Sequence, residues 1–133
     1  MRNLTVVLEN RPGALAAACE ALGQAGINIA GMFCFASAGV AMMYVAVEDT
    51  AGARRALERA GLKISDEQEV VAVPVDDRPG AAGEVLRRIA DAGVNIELAY
   101  IATGPRIVVA AHDVGKAQAT VRHVRESSRT SGR

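Results

Sequence analysis

A stretch of twenty residues occurs twice in this chain, and any fold the chain adopts has to accommodate both copies. Asn10-Arg11-Pro12-Gly13-Ala14 runs on to Gly26-Ile27-Asn28-Ile29, and Asp77-Arg78-Pro79-Gly80-Ala81 runs on to Gly93-Val94-Asn95-Ile96. The offset is 67 throughout, from Arg11 to Arg78, Gly13 to Gly80 and Asn28 to Asn95, so the copies align without a gap. Eight of the twenty positions are identical, and three more pair Asn with Asp, Ile with Val, and Leu with Ile. The matches fall on turn residues and apolar positions, where a shared backbone restricts the side chain most. The chain therefore reads as a duplicated structural unit.

Within the first copy, residues 4–8 (Leu-Thr-Val-Val-Leu) are rich in β-branched side chains and predict a strand, stopped by Glu9-Asn10-Arg11. Pro12 suits the first position of a helix, where a missing N–H does no harm. Leu15, Ala18, Cys19, Leu22 and Ala25 then recur at helical spacing, and Gly26 supplies the stop. Residues 27–35 and 40–47 predict a hairpin turning at Ser37-Ala38-Gly39. Asp49-Thr50 opens a second helix with Ala53, Ala56, Leu57 and Ala60 on its apolar face, closed by Gly61. A short strand at 62–64 completes β-α-β-β-α-β, the ferredoxin-like order. Residues 65–69 (Ser-Asp-Glu-Gln-Glu) read as a polar connector.

The second copy repeats the order with a strand at 70–75, a helix at 79–92, a hairpin of 94–102 and 106–111, and a last helix from Asp113 to residue 124. Asp49 and Asp113 align with an offset of 64, so the second hairpin is three residues shorter. No fourth strand is expected in this copy, because the polar tail 126–133 neither alternates nor buries and reads as disordered. The expectation is an α+β chain of two ferredoxin-like repeats, 1–66 and 67–125, each an antiparallel sheet with helices on one face.

Charge and composition narrow the function classes. Lys+Arg and Asp+Glu number 15 each, so no global field draws nucleic acid or an anionic membrane. Aromatic residues make up 3% of the chain, too few to furnish the stacking platform of a sheet that binds RNA. Phe33 and Tyr100 align under the repeat and read as core packing, with a pocket wall as the alternative. Cys19 and Cys34 lack metal-ligand spacing and read as buried free thiols in a reducing compartment. No charged start leads into an apolar run, and no stretch reaches membrane-spanning length, so a soluble, cytoplasmic protein is expected. His112 and His123 are the only histidines, and no Ser/His/Asp set, carboxylate pair or metal spacing accompanies them. Neither catalysis nor a cofactor is expected.

The repeated turn has chemistry of its own. A helix that opens at Arg-Pro-Gly points its first N–H groups outward without intrahelical partners, and the helix dipole adds partial positive charge there. Such a place suits a carboxylate, although the turn equally suits a role in starting the helix. Asn28 and Asn95 each begin the strand at the opposite end of the helix from their own turn, so a second unit would be needed to bring turn and amide together. An amide there can both donate and accept, reading an ammonium and a carboxylate; a turn or capping role is the alternative.

The segment Leu8-Glu9-Asn10-Arg11-Pro12-Gly13 with Gly26-Ile27-Asn28-Ile29, present twice, resembles the signature of ACT domains. The resemblance covers about 3–65 and 70–124, and the whole chain is similar to stand-alone tandem ACT proteins. It implies a four-stranded antiparallel sheet per unit, paired units side by side, and an effector amino acid at the interface against the turn. Carried over by position, the implied ligand-binding residues are Asn10, Arg11, Pro12, Gly13, Ala14, Leu15, Asn28 and Ile29. Their counterparts are Asp77, Gly80, Ala81, Asn95 and Ile96, with Arg78, Pro79 and Ala82 in the same turn. Some members carry histidine where this chain has Leu8 and Val75, which leaves ligand specificity open. Asp77 in place of Asn10 disfavours a carboxylate, so the two copies are not expected to be equivalent. The implied role is a regulatory sensor of a free amino acid, a homodimer that modulates an enzyme or regulator of amino-acid metabolism. The alternative is an interaction module with no small-molecule ligand.

Overall fold

Alternation along the first strand sets the layering of the first unit. In β1 (Arg2–Glu9), Leu4, Val6 and Leu8 face one way and are almost completely buried. The structure, a computed structural model, describes residues 1–111, 113 and 115–120. Chain contacts divide it into two units, Met1–Glu69 and Val70–Arg133. The expected tail at 126–133, the end of the last helix and both histidines lie outside the described residues.

In the first unit β1 is followed by α1 (Ala14–Gln24), β2 (Gly31–Ser37), β3 (Val40–Val47), α2 (Thr50–Arg59) and β4 (Lys63–Glu69). The sheet order is β2-β3-β1-β4, antiparallel throughout, the arrangement expected of a βαββαβ unit. Leu4, Val6 and Leu8 join Met43, Val45 and Val47 beneath Ala18 and Leu22 of α1 and Ala53 and Leu57 of α2. The two helices meet the sheet mostly through alanines, so they lie close to it, and Leu22 and Leu57 supply the volume. Asp49 caps α2 by accepting a hydrogen bond from the Gly52 N–H at 2.9 Å, as the Asp-Thr start predicts.

The hairpin between β2 and β3 turns on Ala38 and Gly39, both at positive φ (53° and 79°), the pattern of a type I′ turn. Its second strand matches the expected 40–47, whereas β2 begins and ends later than the expected 27–35. Residues 27–30 instead lead out of the helix in irregular backbone, with Ile27 and Ile29 packed on the core.

The expected polar connector at 65–69 is strand. β4 continues through Glu69, pairing with β1 from Val7 to Arg2 across an irregularity between Thr5 and Val6. An edge strand needs only one apolar face, and charge supports the rest of this one. Glu67 accepts from Arg2 at 2.7 Å and from Arg54 of α2 at 2.9 Å, tying β4 to both neighbouring elements. These pairs, the Arg54 hydrogen bond first, hold the Glu67 carboxyl below the usual carboxylate range.

The second unit contains β5 (Val71–Pro74), α3 (Ala81–Asp91), β6 (Ile96–Ala102) and β7 (Arg106–Ala111), with helical backbone again at 115–120. Its sheet order is β5-β7-β6, so among the described residues it has the first three strands of the repeat and no fourth. Val73, Ile107, Val109 and Ala111 pack against Val85 and Ile89 of α3 and against Ala117. Asp113 accepts from the Lys116 N–H at 2.9 Å and so opens the last helix where its counterpart Asp49 opens α2. No helix among the described residues is long and apolar enough to cross a membrane.

Candidate functional site

The repeated Arg-Pro-Gly is a turn in front of the helix, not the helix's first residues. The Ala14 N–H donates to the Arg11 carbonyl at 3.3 Å, enclosing Pro12 and Gly13. Gly13 has φ 88° and ψ −14°, as required at the third position of a type II turn, where glycine is favoured. Pro12 therefore sits at the second turn position, which its fixed φ also suits, and α1 starts at Ala14. The second copy repeats this with Ala81 N–H to Arg78 carbonyl at 3.3 Å and Gly80 at φ 85°, ψ −12°. The first helical N–H is used by the turn in each copy, and neither helix has a side-chain cap.

Around the first turn lies an open groove of about 250 Å³. Leu8, Glu9, Asn10 and Arg11 form one side, Ala14 and Leu15 of α1 the second, and Cys34, Phe35 and Ala36 of β2 with Ala41 of β3 the third. The strand register explains why space is left here. Leu8 pairs with Ala41, and Ala41 with Ala36, so one row across the sheet carries a leucine and two alanines on its helix-facing side. The next row inward, Val6, Met43 and Cys34, is bulkier and lies under α1. The groove is the place where small side chains meet the start of the helix.

Alternation along β2 directs Phe35 to the opposite face of the sheet. Its ring stacks with Phe33 (centroids 6.3 Å apart) and Tyr44 (6.0 Å), while Phe33 and Tyr44 stack at 4.5 Å. Phe35 thus offers the groove its strand and not its ring, and remains 48% exposed on the other side. Cys34 does point to the helix side. It and Cys19 are free and half-buried, less enclosed than the buried thiols expected. The Cys19 thiol lies 3.7 Å from the Met32 sulfur. Burial first, then Cys34 and Glu20, push the Cys19 thiol above its ordinary value, so it is protonated near neutral pH.

Of the residues lining the groove, Glu9 and Arg11 alone are charged, and they pair with each other at 2.7 Å. Both are largely exposed, so opening the pair costs little. The first turn of α1 has no acidic residue. The groove therefore has a charged end of both signs beside an unneutralised helix N-terminus, and an apolar end.

The residues singled out by sequence divide into three groups. Asn10, Arg11, Ala14 and Leu15 come together at the groove, and Pro12 and Gly13 shape the turn that brings them there. Asn28 is exposed and Ile29 half-buried, both beyond the far end of α1. In the second unit Asp77 and Gly80 are exposed at the turn, Ala81 is buried, Asn95 is exposed and Ile96 packs on the core. Glu9, Cys34, Ala36 and Ala41 were not singled out. Glu9 stands next to the motif and is legible in the sequence, whereas Cys34, Ala36 and Ala41 come to the turn only through the strand register.

Comparison with known proteins agrees with this architecture. The sequence model of the ACT domain matches twice, over residues 2–60 and 70–126. No curated protein sequence matches. Among solved structures, protein BT0572 from Bacteroides thetaiotaomicron superposes with a TM-score of 0.80 at 24% identity, covering 93% of this chain and 88% of that one. The ligand-free regulatory subunit of aspartate kinase from Thermus thermophilus gives 0.71 at 20% identity, covering 94% and 90%. The corresponding subunit from Thermus flavus gives 0.60 at 19% identity, covering 92% and 90%. At these identities the superpositions speak to the fold, while the twofold match speaks to the family. ACT domains are regulatory, ligand-sensing modules and not catalytic ones. With both halves matched and both units built to that pattern, this chain belongs to the ACT domain family.

Proposed function

We propose that the chain is a cytoplasmic sensor of a free amino acid, bound in the groove of the first unit and read out through a partner protein of amino-acid metabolism. One observation carries the reading: Glu9, Arg11 and the uncapped start of α1 converge on a groove of amino-acid size. A zwitterion matches that end of the groove. Its carboxylate suits the Arg11 guanidinium and the first free N–H groups of α1, and its ammonium suits Glu9 and the Asn10 amide. The Glu9–Arg11 pair is then exchanged for two pairs with the ligand. The volume, about 250 Å³, lies just below the usual range for drug-sized ligands.

The partner is proposed by analogy with the regulatory subunits of aspartate kinase among the similar structures. Phe35 and Val40, 48% and 40% exposed at one end of the sheet, give a surface for such a contact or for a homodimer. They also favour the second reading, an interaction module without a ligand. Asn28 and Asn95 lie far from the turns of their own units, so each would serve only a turn presented by another ACT unit. Asp77, Gly80 and Ala81 are proposed as a weaker, non-equivalent version of the first turn, with Ile96, like Ile29, beyond the far end of its helix.

A thermal-shift screen of the twenty common amino acids tests the proposal. Ligand at a hundredfold over Kd adds about 2.7 kcal/mol to stability, a rise in Tm on the order of 5–10 °C. A flat response across the set leaves the interaction module as the better reading. Light scattering measures the oligomeric state separately.

A further inference from the structure

The ligand class follows from the apolar end of the groove. Resting on the reading that this groove holds a free amino acid, we propose that it selects an aliphatic or thioether side chain, of the size of valine, leucine, isoleucine or methionine. Once the charged end is occupied by the ammonium and carboxylate common to all amino acids, only the side chain is left to be read. The walls facing it are Leu8, Leu15, Cys34, Ala36 and Ala41. Leu8 and Ala41 are more than nine-tenths buried, and Leu15 and Cys34 are half-buried against the same core. The ligand side chain thus continues the row Leu8–Ala41–Ala36 and fills the volume its two alanines leave.

The same walls reject other classes. Among the described residues lining the groove, no charge remains for a lysine or glutamate side chain once Glu9 and Arg11 hold the backbone groups of the ligand. A charge set against these walls gives up its hydration without a partner. A serine or asparagine side chain gives up hydrogen bonds to water in the same way. The thiol of Cys34 and the Cys19–Met32 sulfur contact behind it form a soft, polarisable floor, which suits a thioether as well as a branched alkyl group. Alanine fits but leaves most of the space empty. Burial of each further methylene is worth roughly a fourfold gain in affinity, so leucine should bind well over tenfold more tightly than alanine.

The experiment uses the full chain and free L-amino acids, with two readouts. Titration calorimetry ranks the amino acids, and iodoacetamide labelling followed by peptide mass spectrometry measures how far each protects Cys34. The expected result is binding by leucine, isoleucine, valine or methionine, with Cys34 alkylation slowed at least tenfold at saturation. Ala36→Leu fills the row from an exposed position and should lower leucine affinity at least tenfold while alanine affinity stays within twofold. If lysine, aspartate or serine binds best and protects Cys34, the groove holds an amino acid but the class proposed here is wrong. If an aliphatic amino acid binds without protecting Cys34 and without regard to Ala36→Leu, the side chain is read elsewhere and the proposal fails. If none of the twenty binds, the amino-acid reading fails and this inference fails with it.

Discussion

The two Arg-Pro-Gly turns have nearly the same backbone and opposite surroundings. Gly13 and Gly80 differ by 3° in φ, from 88° to 85°, and both turns close on the same 3.3 Å hydrogen bond. Arg11 turns back to Glu9, whereas Arg78 reaches forward over the helix to Glu84, with bonds of 3.2 and 2.7 Å and Asp76 a further 3.6 Å away. Glu84 occupies the first turn of α3, where it also offsets the helix dipole. Its counterpart in α1 is Ala17. Asp77 adds a third carboxylate to the second turn, in place of Asn10. The second turn thus surrounds its arginine with two carboxylates and its helix start with one of them, while the first has Glu9 alone on its arginine and no acidic residue in the first turn of its helix. On a shared backbone, the side chains at Ala17/Glu84 and Asn10/Asp77 give the two turns different electrostatics.

The hairpins add a steric difference to the electrostatic one. Counting back from Asp49 and Asp113, β3 begins two residues earlier than β7, and counting forward from Gly26 and Gly93, β2 ends two residues later than β6. The first hairpin therefore projects further, and its extra length carries Ala36 and Ala41, the far wall of the groove. In the second unit the matching row is Val75, Pro105 and Thr103, the last two in the loop, with the Val75 N–H donating to the Pro105 carbonyl at 3.2 Å.

The variant Ala17→Glu is the most damaging test of the comparison, because it copies Glu84 into the first unit at an exposed position. The new carboxylate should capture Arg11 and neutralise the start of α1. Charged hydrogen bonds of this kind are worth about 1.5–3 kcal/mol, so amino-acid affinity should fall roughly tenfold to a hundredfold. The unliganded protein should be no less stable, since an acidic first turn is favourable by about 0.3–1 kcal/mol. Calorimetry with the best ligand decides it, and undiminished affinity would show that Glu84 is irrelevant to the difference between the turns.

Gly13→Ala and Gly80→Ala come next. Neither glycine has an atom within 4 Å of where a Cβ would sit, so each substitution strains only the backbone. A left-handed alanine costs about 1–2 kcal/mol, and chemical denaturation should find similar losses for the two. Ligand affinity should fall for Gly13→Ala alone. A loss of affinity with Gly80→Ala as well would mean that the second turn also takes part in binding.

These differences also mark where the sequence could be read and where it could not. Strand and helix order was legible because turn glycines, proline and capping aspartates act locally, and Asp49 and Asp113 cap where their residue type predicts. The sequence predicts β4 only at 62–64; its continuation to Glu69 is not legible because that half is polar, and what holds it is the pairing with β1 and the Glu67 bridges to Arg2 and Arg54, none of them local in sequence. The turn side of the groove was legible in Asn10 and Arg11. Its wall was not, because Ala36 and Ala41 become neighbours only through strand register. The one available hint was the change of offset from 67 to 64, whose structural meaning is the longer first hairpin.

The smallest effect is expected from pH and from Glu84 itself. The hydrogen bond from Arg78, then the Arg78 charge, holds the Glu84 carboxyl below its ordinary value near 4.3. A group whose folded pKa is depressed stabilises the fold above its unfolded pKa, and that contribution disappears as pH falls through the folded value. Glu84→Gln should therefore flatten the acid limb of the stability curve below about pH 4.3 and change little at neutral pH, since both partners are exposed. The same substitution separates the two causes of the difference between the turns. Releasing Arg78 removes an electrostatic obstacle but leaves the second hairpin short, so Glu84→Gln should not create a second amino-acid site. Calorimetric stoichiometry should stay at the wild-type value. An additional bound ligand per chain would mean that charge alone silenced the second turn and that the longer hairpin is incidental.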